Sequence, residues 1–355
     1  MDLVFIMFFM NFRWLAESLK LSILKIFFMK IVDELGVPVF TNDDVRVAVE
    51  RIGWKKFIEE VKKGFEQSAA GKVDAPHKTY VNTPFDSDMR CMPAYLAEYS
   101  SGKYAGVKIV CVVPRNSTRH LPTVIGEYVL RDAETMQLLA IMQAEELTAY
   151  RTGAATAVAT DALARTNVKT MCIIGAGKQA YYQAKGILAV RPSIENIKVF
   201  DVFPASVERF KTYEKELGVD VIVVRSVEAA INGSDIATTV TPTTKPFISP
   251  NIITAGIHIN GVGADSKHKL EFDPQVLKKS KVFVDDVEQC INSGEVYQGL
   301  EKGIINKNDL SPLGDVLLRK AKGRTSGKDI TFFKSTGVAY EDLITAILVY
   351  EQLKK

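Results

Sequence analysis

The spacing of apolar positions changes character twice along the chain. Residues 41–53, TNDDVRVAVERIG, repeat apolar side chains three and four apart, with Thr41 or Asn42 placed to cap and Gly53 to stop the run. That pattern predicts a helix, and WKKFIEEVKKGFEQSAAG carries the same period into a second amphipathic one. Three runs rich in Val, Ile and Leu come next: AGVKIVCVV (105–113), PTVIGEYVL (122–130) and MQLLAIMQ (136–143). They predict strands, with RDAET between the last two as a hairpin turn, so the first part reads as α+β on a largely antiparallel sheet. The Ala-rich stretch 144–165 predicts a closely packed helix. After it the rhythm alternates: TMCIIG, QAYYQAKGILAV, NIKVFD, ASVERFKTYEKELG, VDVIVV, SVEAAING, SDIATTVT, then GIHINGVG and KVFVDD. Strand alternating with helix predicts an α/β fold, a Rossmann-type doubly wound parallel sheet. DITFFKSTGVAYEDLITAILVYEQL ends the chain as strand, turn and long helix.

Length and charge narrow the possibilities. The 355 residues suggest two domains, because single cores stop growing at roughly 250–300 residues. With 45 basic against 42 acidic residues, the net charge of +3 gives no reason to expect nucleic acid as partner. The four cysteines and four histidines show no metal-ligand spacing, so no metal site is expected and the thiols read as reduced, in a cytoplasmic protein. The opening LVFIMFFM is apolar, but Asn11, Arg13, Glu17, Lys20 and Lys25 break the apolar run beyond it. A membrane span wants about 20 nearly continuous apolar residues. The favoured expectation for residues 1–29 is an extension produced by a start assigned too early, with Met29 as the true start; membrane attachment is the weaker alternative.

Within MCIIGAGKQAYYQAKGILAV the glycines stand where a strand gives way to a helix. Gly175, Gly177 and Ala180 form G-x-G-x-x-A, and the next strand ends at Asp201. Gly175 permits the tight turn, Gly177 lets backbone approach a pyrophosphate, and the helix start offers N–H groups. Asp201 at that distance suits the ribose hydroxyls of NAD and would repel a 2′-phosphate. The alternative is an ordinary strand–helix turn.

Three basic residues stand out before that motif: Arg90 in MRCMPAYL, Lys108 mid-strand in GVKIV, and Arg151 inside the Ala-rich helix. A charge in a buried strand is costly unless paired, and a substrate carboxylate is one candidate partner for Lys108. Lys108 pointing to solvent, with the arginines in ordinary salt bridges, is the bland alternative. Asp265, after GIHINGVG, stands where ligands meet the carboxyl ends of parallel strands and is the candidate for proton exchange with a substrate nitrogen, facing Lys108 and Arg151. Its bland role is to cap the next helix.

Taken in order, RCMPAYL, AGVKIV, LPTV, LTAYRTGAA, GAGKQA, HINGVGAD and STGVAYED resemble the ornithine cyclodeaminase/mu-crystallin family from about residue 40 to the C-terminus. The resemblance implies a substrate-binding and dimerisation domain over 30–145 plus 334–355, an NAD-binding domain over 146–333, and a homodimer. It implies that Arg90 and Lys108 hold substrate and that Arg151 lies near its carboxylate and the cofactor. Thr123 would touch the cofactor, Lys178 and Gln179 would meet the pyrophosphate by their backbone, and Asp201 would bind the ribose. Thr241, Val262, Gly263, Ala264 and Asp265 would border the nicotinamide, with Lys269 and Ser335 near the cofactor. Lys108 and Asp265 are the expected catalytic residues. The chain departs from the family pattern at Lys334, where an acidic residue is common, and in VCVVPRN after Lys108. No acidic residue just before Lys108 is placed to grip a second amine. The R-x-MPAYL form is closer in style to the alanine dehydrogenase branch. The expected reaction is NAD-dependent oxidation of a small L-amino acid; the alternatives are cyclodeamination of ornithine to proline, ketimine reduction, or dinucleotide binding without catalysis.

Overall fold

A capping box starts the first helix: Thr41 Oγ1 accepts from the Asp44 amide, and Asp44 returns a carboxylate to the Thr41 amide at 2.8 Å. In this computed structural model residues 36–354 are described, apart from positions 86, 100, 101 and 120, so the expectation for residues 1–29 lies outside them. Helices Asn42–Ile52 and Trp54–Ala69 meet at Gly53, whose positive φ of 79° allows the break. They bury Val45, Val49, Phe57, Val61 and Phe65.

The first sheet has seven strands: β1 (Val39–Phe40), β2 (Val73–Asp74), β3 (Thr79–Thr83), β4 (Ser87–Tyr99), β5 (Gly102–Val112), β6 (Val124–Asp132) and β7 (Leu138–Gln143). Their order is β1-β7-β6-β5-β4-β2 with β3 also on β4, antiparallel except where β1 meets β7. The 13-residue β4 is not expected from sequence. It buries Arg90, Met92, Ala94 and Leu96 on one face and half-buries Cys91, Pro93 and Tyr95 on the other, so no polar alternation marks it.

The second sheet is wholly parallel, as expected, with eight strands: β8 (Thr170–Ile174), β9 (Asn196–Phe200), β10 (Asp220–Val223), β11 (Ile236–Thr239), β12 (His258–Gly261), β13 (Lys281–Val284), β14 (Leu310–Pro312) and β15 (Thr331–Lys334). The order β10-β9-β8-β11-β12-β15-β13-β14 reverses direction between β8 and β11. That switch point opens a crevice beyond the strand ends, where ligands of such sheets bind. β15, last in sequence, inserts between β12 and β13.

Two helices join the sheets. Ala144–Leu163 is buried nearly all round, and its Gly153 meets Gly186 of helix Lys178–Val190 so closely that a Cβ on Gly186 would stand 2.5 Å from the Gly153 carbonyl oxygen. After β15 the helix Ala339–Leu353 returns to the first sheet and buries Leu343, Ile344 and Ile347 with the first two helices. This return carries Glu341 and Asp342 under β5, the placement on which the site depends. No helix among the described residues is long and apolar enough to cross a membrane.

Candidate active site

Register places the basic residues on one face. Arg90 pairs with Val110, Met92 with Lys108, and Lys108 with Tyr128, so these side chains all point inward from β4, β5 and β6. Lys108 is 1% exposed, and its Nζ donates to Asp342 Oδ1 at 2.8 Å and to Thr148 Oγ1 at 3.4 Å. The sequence offered a substrate carboxylate or solvent as its partner; the protein supplies Asp342 instead. Arg151 donates through Nε to the same oxygen at 2.9 Å and through a terminal nitrogen to Glu341 Oε2 at 2.8 Å. Gly337, with φ of 75°, leaves room for that guanidinium, since a Cβ there would meet it at 2.5 Å. Burial, Arg151 and Lys78 pull Lys108 down to about 7, and Asp342 only partly opposes them. Burial pushes Glu341 up to about 8 despite Arg151, with Asp285 and Asp342 adding to the rise. Neither Glu341 nor Asp342 is a residue the sequence singled out. The available signal was YEDL, two acids opening an otherwise apolar helix.

Asp265 lies beyond β12 and keeps 24% of its side chain accessible. Its Oδ2 accepts from Arg90 at 2.8 Å and its Oδ1 from Lys269 at 2.7 Å. These are its direct partners; Lys108 and Arg151, expected across the cleft, line the same cavity and are held by Glu341 and Asp342. Burial alone would raise Asp265, but Lys269, Arg90 and Lys78 together hold it well below the usual carboxylate range. It caps no helix: the next one, Gln275–Lys278, has Pro274 at its cap. Lys78, absent from the sequence candidates, lines the same cavity and donates to the Thr336 carbonyl at 2.7 Å. Burial lowers its pKa, Asp265 opposes the shift and Arg90 adds to it. Asp88 holds Arg90 from behind, with Nε donating at 2.6 Å.

The cofactor-side residues gather less evenly. Gly175 has φ of 99° and its amide donates to Phe200 at 2.9 Å, which sets the strand–helix turn. Gly177 opens helix Lys178–Val190 with no side-chain cap, and a Cβ there would meet nothing within 4 Å. Free N–H groups beside open space fit a pyrophosphate. Asp201 accepts from the Ala176 amide at 2.7 Å and the Phe203 amide at 2.9 Å, which leaves acceptor capacity for ribose hydroxyls. These features fit NAD. Gln179, Thr241, Val262, Gly263, Asp265, Lys269 and Ser335 line one cavity of about 320 Å³ with Lys78, Arg90, Lys108 and Arg151. Ala264 is buried beneath it. The Lys178 side chain binds Glu146 at 2.8 Å and its backbone stands at the helix start. One expected residue stands apart. Thr123 is exposed ahead of β6 and its carbonyl accepts from Val113, while Val124 lines the cavity in its stead. Among the described residues no His, Cys, Asp and Glu cluster could hold a metal.

Comparison with known proteins agrees with this geometry. The model of the ornithine cyclodeaminase/mu-crystallin family matches residues 40–355. An alanine dehydrogenase from Archaeoglobus fulgidus is 36% identical over 88% of this chain and 94% of its own length. The structure of Thermococcus litoralis Δ1-pyrroline-2-carboxylate reductase with NADH and L-proline aligns with a TM-score of 0.85 at 33% identity, covering 89% of this chain and 97% of that one. An archaeal alanine dehydrogenase dimer with bound NAD aligns at 0.83 and 35% identity, covering 89% and 95%. The chain therefore belongs to the ornithine cyclodeaminase/mu-crystallin family, and with it to the NAD-dependent oxidoreductases of amino and imino acids.

Proposed function

We propose that the protein oxidises the Cα–N bond of a small L-amino acid and, in reverse, reduces the matching imine. The observation that carries this reading is the position of Asp265, at the carboxyl end of a central parallel strand, in one cavity with Arg90, Lys108 and Arg151. The turn at Gly175 and Gly177 would hold NAD, which would supply the hydride acceptor. The balance is amino acid, NAD and water giving 2-oxo acid, ammonium, NADH and a proton.

Arg90 is the residue whose partners change. A substrate carboxylate competes with Asp265 for its guanidinium. As that cation turns to the substrate, Asp265 gains proton affinity and accepts a proton from the substrate ammonium. Lys108 uses two of its three donors within the protein and has one left for the carboxylate. Lys78, whose pKa burial lowers, lines the same cavity and adds a third cation beside Asp265.

Met92, Val110, Val112 and Val124 give the cavity an apolar side, and Asp265 is the sole carboxylate among its described lining residues. Nothing there grips a second ammonium, which favours alanine-like or proline-like substrates over ornithine. The test is incubation with NAD and, separately, alanine, proline, ornithine or lysine, monitoring NADH and ammonia. Matching NADH and ammonia from alanine support a dehydrogenase, whereas ammonia from ornithine without NADH would mean a cyclodeaminase. We also infer a homodimer through the outer face of the first sheet, where Pro93, Tyr95, Val107 and Val129 are half-buried; the archaeal alanine dehydrogenase neighbour is a dimer. Light scattering tests this. Four free cysteines support a cytoplasmic setting.

A further inference from the structure

Behind the cavity lies a buried charge group that the proposed reaction does not use. Glu271 is inaccessible, and four donors converge on its carboxylate. Oε1 accepts from the Thr241 amide and the Thr241 hydroxyl, both at 2.8 Å. Oε2 accepts from the Thr239 hydroxyl at 2.7 Å and the Gly263 amide at 2.8 Å. Thr239 ends β11 and Gly263 lies just past β12, so one side chain fastens both strand ends. The two loops touch directly: a Cβ on Gly263 would stand 2.2 Å from the Thr241 carbonyl oxygen. Beneath, Glu295 accepts from the Glu271 amide at 2.7 Å and from Lys334 at 2.7 Å, with Glu295 and Lys334 both fully buried. Lys334, the departure from the usual acidic residue, therefore supplies the cation beside two buried carboxylates. A Cβ on Gly294 would stand 2.8 Å from both Lys334 Nζ and the Ala264 carbonyl oxygen, so this cation lies directly under the loop that carries Asp265.

We propose that Glu271 is a positioning residue for hydride transfer: its carboxylate holds Thr241 and the Val262–Asp265 loop as one shelf for the nicotinamide. This rests on the reading above that the shelf carries the nicotinamide. Two of the four donors are backbone amides, one on each oxygen, and they can only donate, so an amide side chain cannot match the carboxylate at this spot. An amide side chain would turn an NH2 group toward donors and force the strand ends apart.

The test is Glu271→Gln, read by NADH against ADP-ribose, which lacks only the nicotinamide end. NADH affinity should fall by about tenfold or more while ADP-ribose affinity stays within about twofold. The emission of bound NADH should move toward that of free NADH. Equal weakening of both ligands, or weakening of neither, would overturn the inference, because a purely structural role does not single out the nicotinamide end. If Glu271→Gln fails to fold, Thr239→Val removes one donor with little change of shape and without touching the cavity. It should weaken NADH selectively by about threefold; an unchanged ratio overturns the inference. Wild-type protein that binds ADP-ribose but leaves NADH emission unaltered would instead sink the nicotinamide reading, and this inference with it.

Discussion

Two clusters of carboxylates and cations share the cavity wall, and they differ in closure. In the first, Lys108 and Arg151 meet Glu341 and Asp342, whose carboxylates are wholly inaccessible. In the second, Arg90, Lys269 and Lys78 surround Asp265, which keeps about a quarter of its side chain open. Both look alike as ion-pair counts. The closed cluster ties helix Ala339–Leu353 to β5 and to helix Ala144–Leu163 across 190 to 234 residues of sequence. Its groups have given up water and are costly to disturb. The open cluster can trade a partner for a substrate. A perturbed group thus marks chemistry only where something outside the protein can reach it.

The largest effect expected from breaking this contrast is at Asp265. Asp265→Asn keeps shape but removes proton exchange, and turnover should fall on the order of 10²–10⁴-fold on whichever substrate is active, with NADH affinity unchanged. Steady-state kinetics with fluorescence titration checks both halves.

Lys108 sharpens the contrast, because it belongs to the closed cluster yet faces the cavity. Lys108→Met leaves Asp342 with Arg151, so the fold survives while a donor to the substrate is lost. A fall of about 10–100-fold in kcat/KM, carried mostly by KM, is expected alongside normal NADH binding. Full activity in that variant would place Lys108 wholly among the scaffold.

The same contrast between local and distant partners governs how much the sequence disclosed. The glycine turn was legible because strand, turn and helix lie within a few residues of one another, and Asp201 and Asp265 stood out because each follows closely on a strand of the alternating pattern. Arg90's strand was not, since β4 buries one face, half-buries apolar side chains on the other and contains Pro93, which erases alternation. Asp342 and Glu341 were not, because nothing local links them to Lys108 or Arg151. Lys78 was missed because it precedes β3, a strand whose residues are all exposed and so lack an apolar face. The insertion of β15 between β12 and β13 is likewise a property of packing that periodicity does not carry.

A smaller effect is expected at the ribose. Asp201→Ala should narrow the preference for NAD over NADP several-fold, measured as the ratio of kcat/KM values, because the charge that repels a 2′-phosphate is removed. Wild-type preference for NADP would contradict the reading of Asp201.

The smallest effect concerns stability and lies away from the cavity. His258 is buried between Thr331 and Asn260, and burial, with Arg324 adding, lowers it to about 3. A histidine depressed on folding contributes stability that is complete above its unfolded value near 6.5 and is lost as pH falls toward 3. The stability gap between wild type and His258→Gln should shrink by about 2 kcal/mol between pH 7 and pH 5, read by denaturant unfolding.

The open cluster works and the closed cluster holds. That division is tested by a side-by-side measurement of single-turnover hydride transfer and thermal midpoint in Asp265→Asn and Asp342→Asn, and a crossed result is expected. Asp265→Asn should lose at least 10²-fold in hydride transfer and less stability than Asp342→Asn, because Asp88 still holds Arg90. Asp342→Asn should lose about 3–5 kcal/mol of stability, because it strips the shared carboxylate from two buried cations, while its folded fraction transfers hydride within about tenfold of wild type. The reverse pattern, an Asp265→Asn protein that turns over normally beside a stable Asp342→Asn protein that does not, would contradict it.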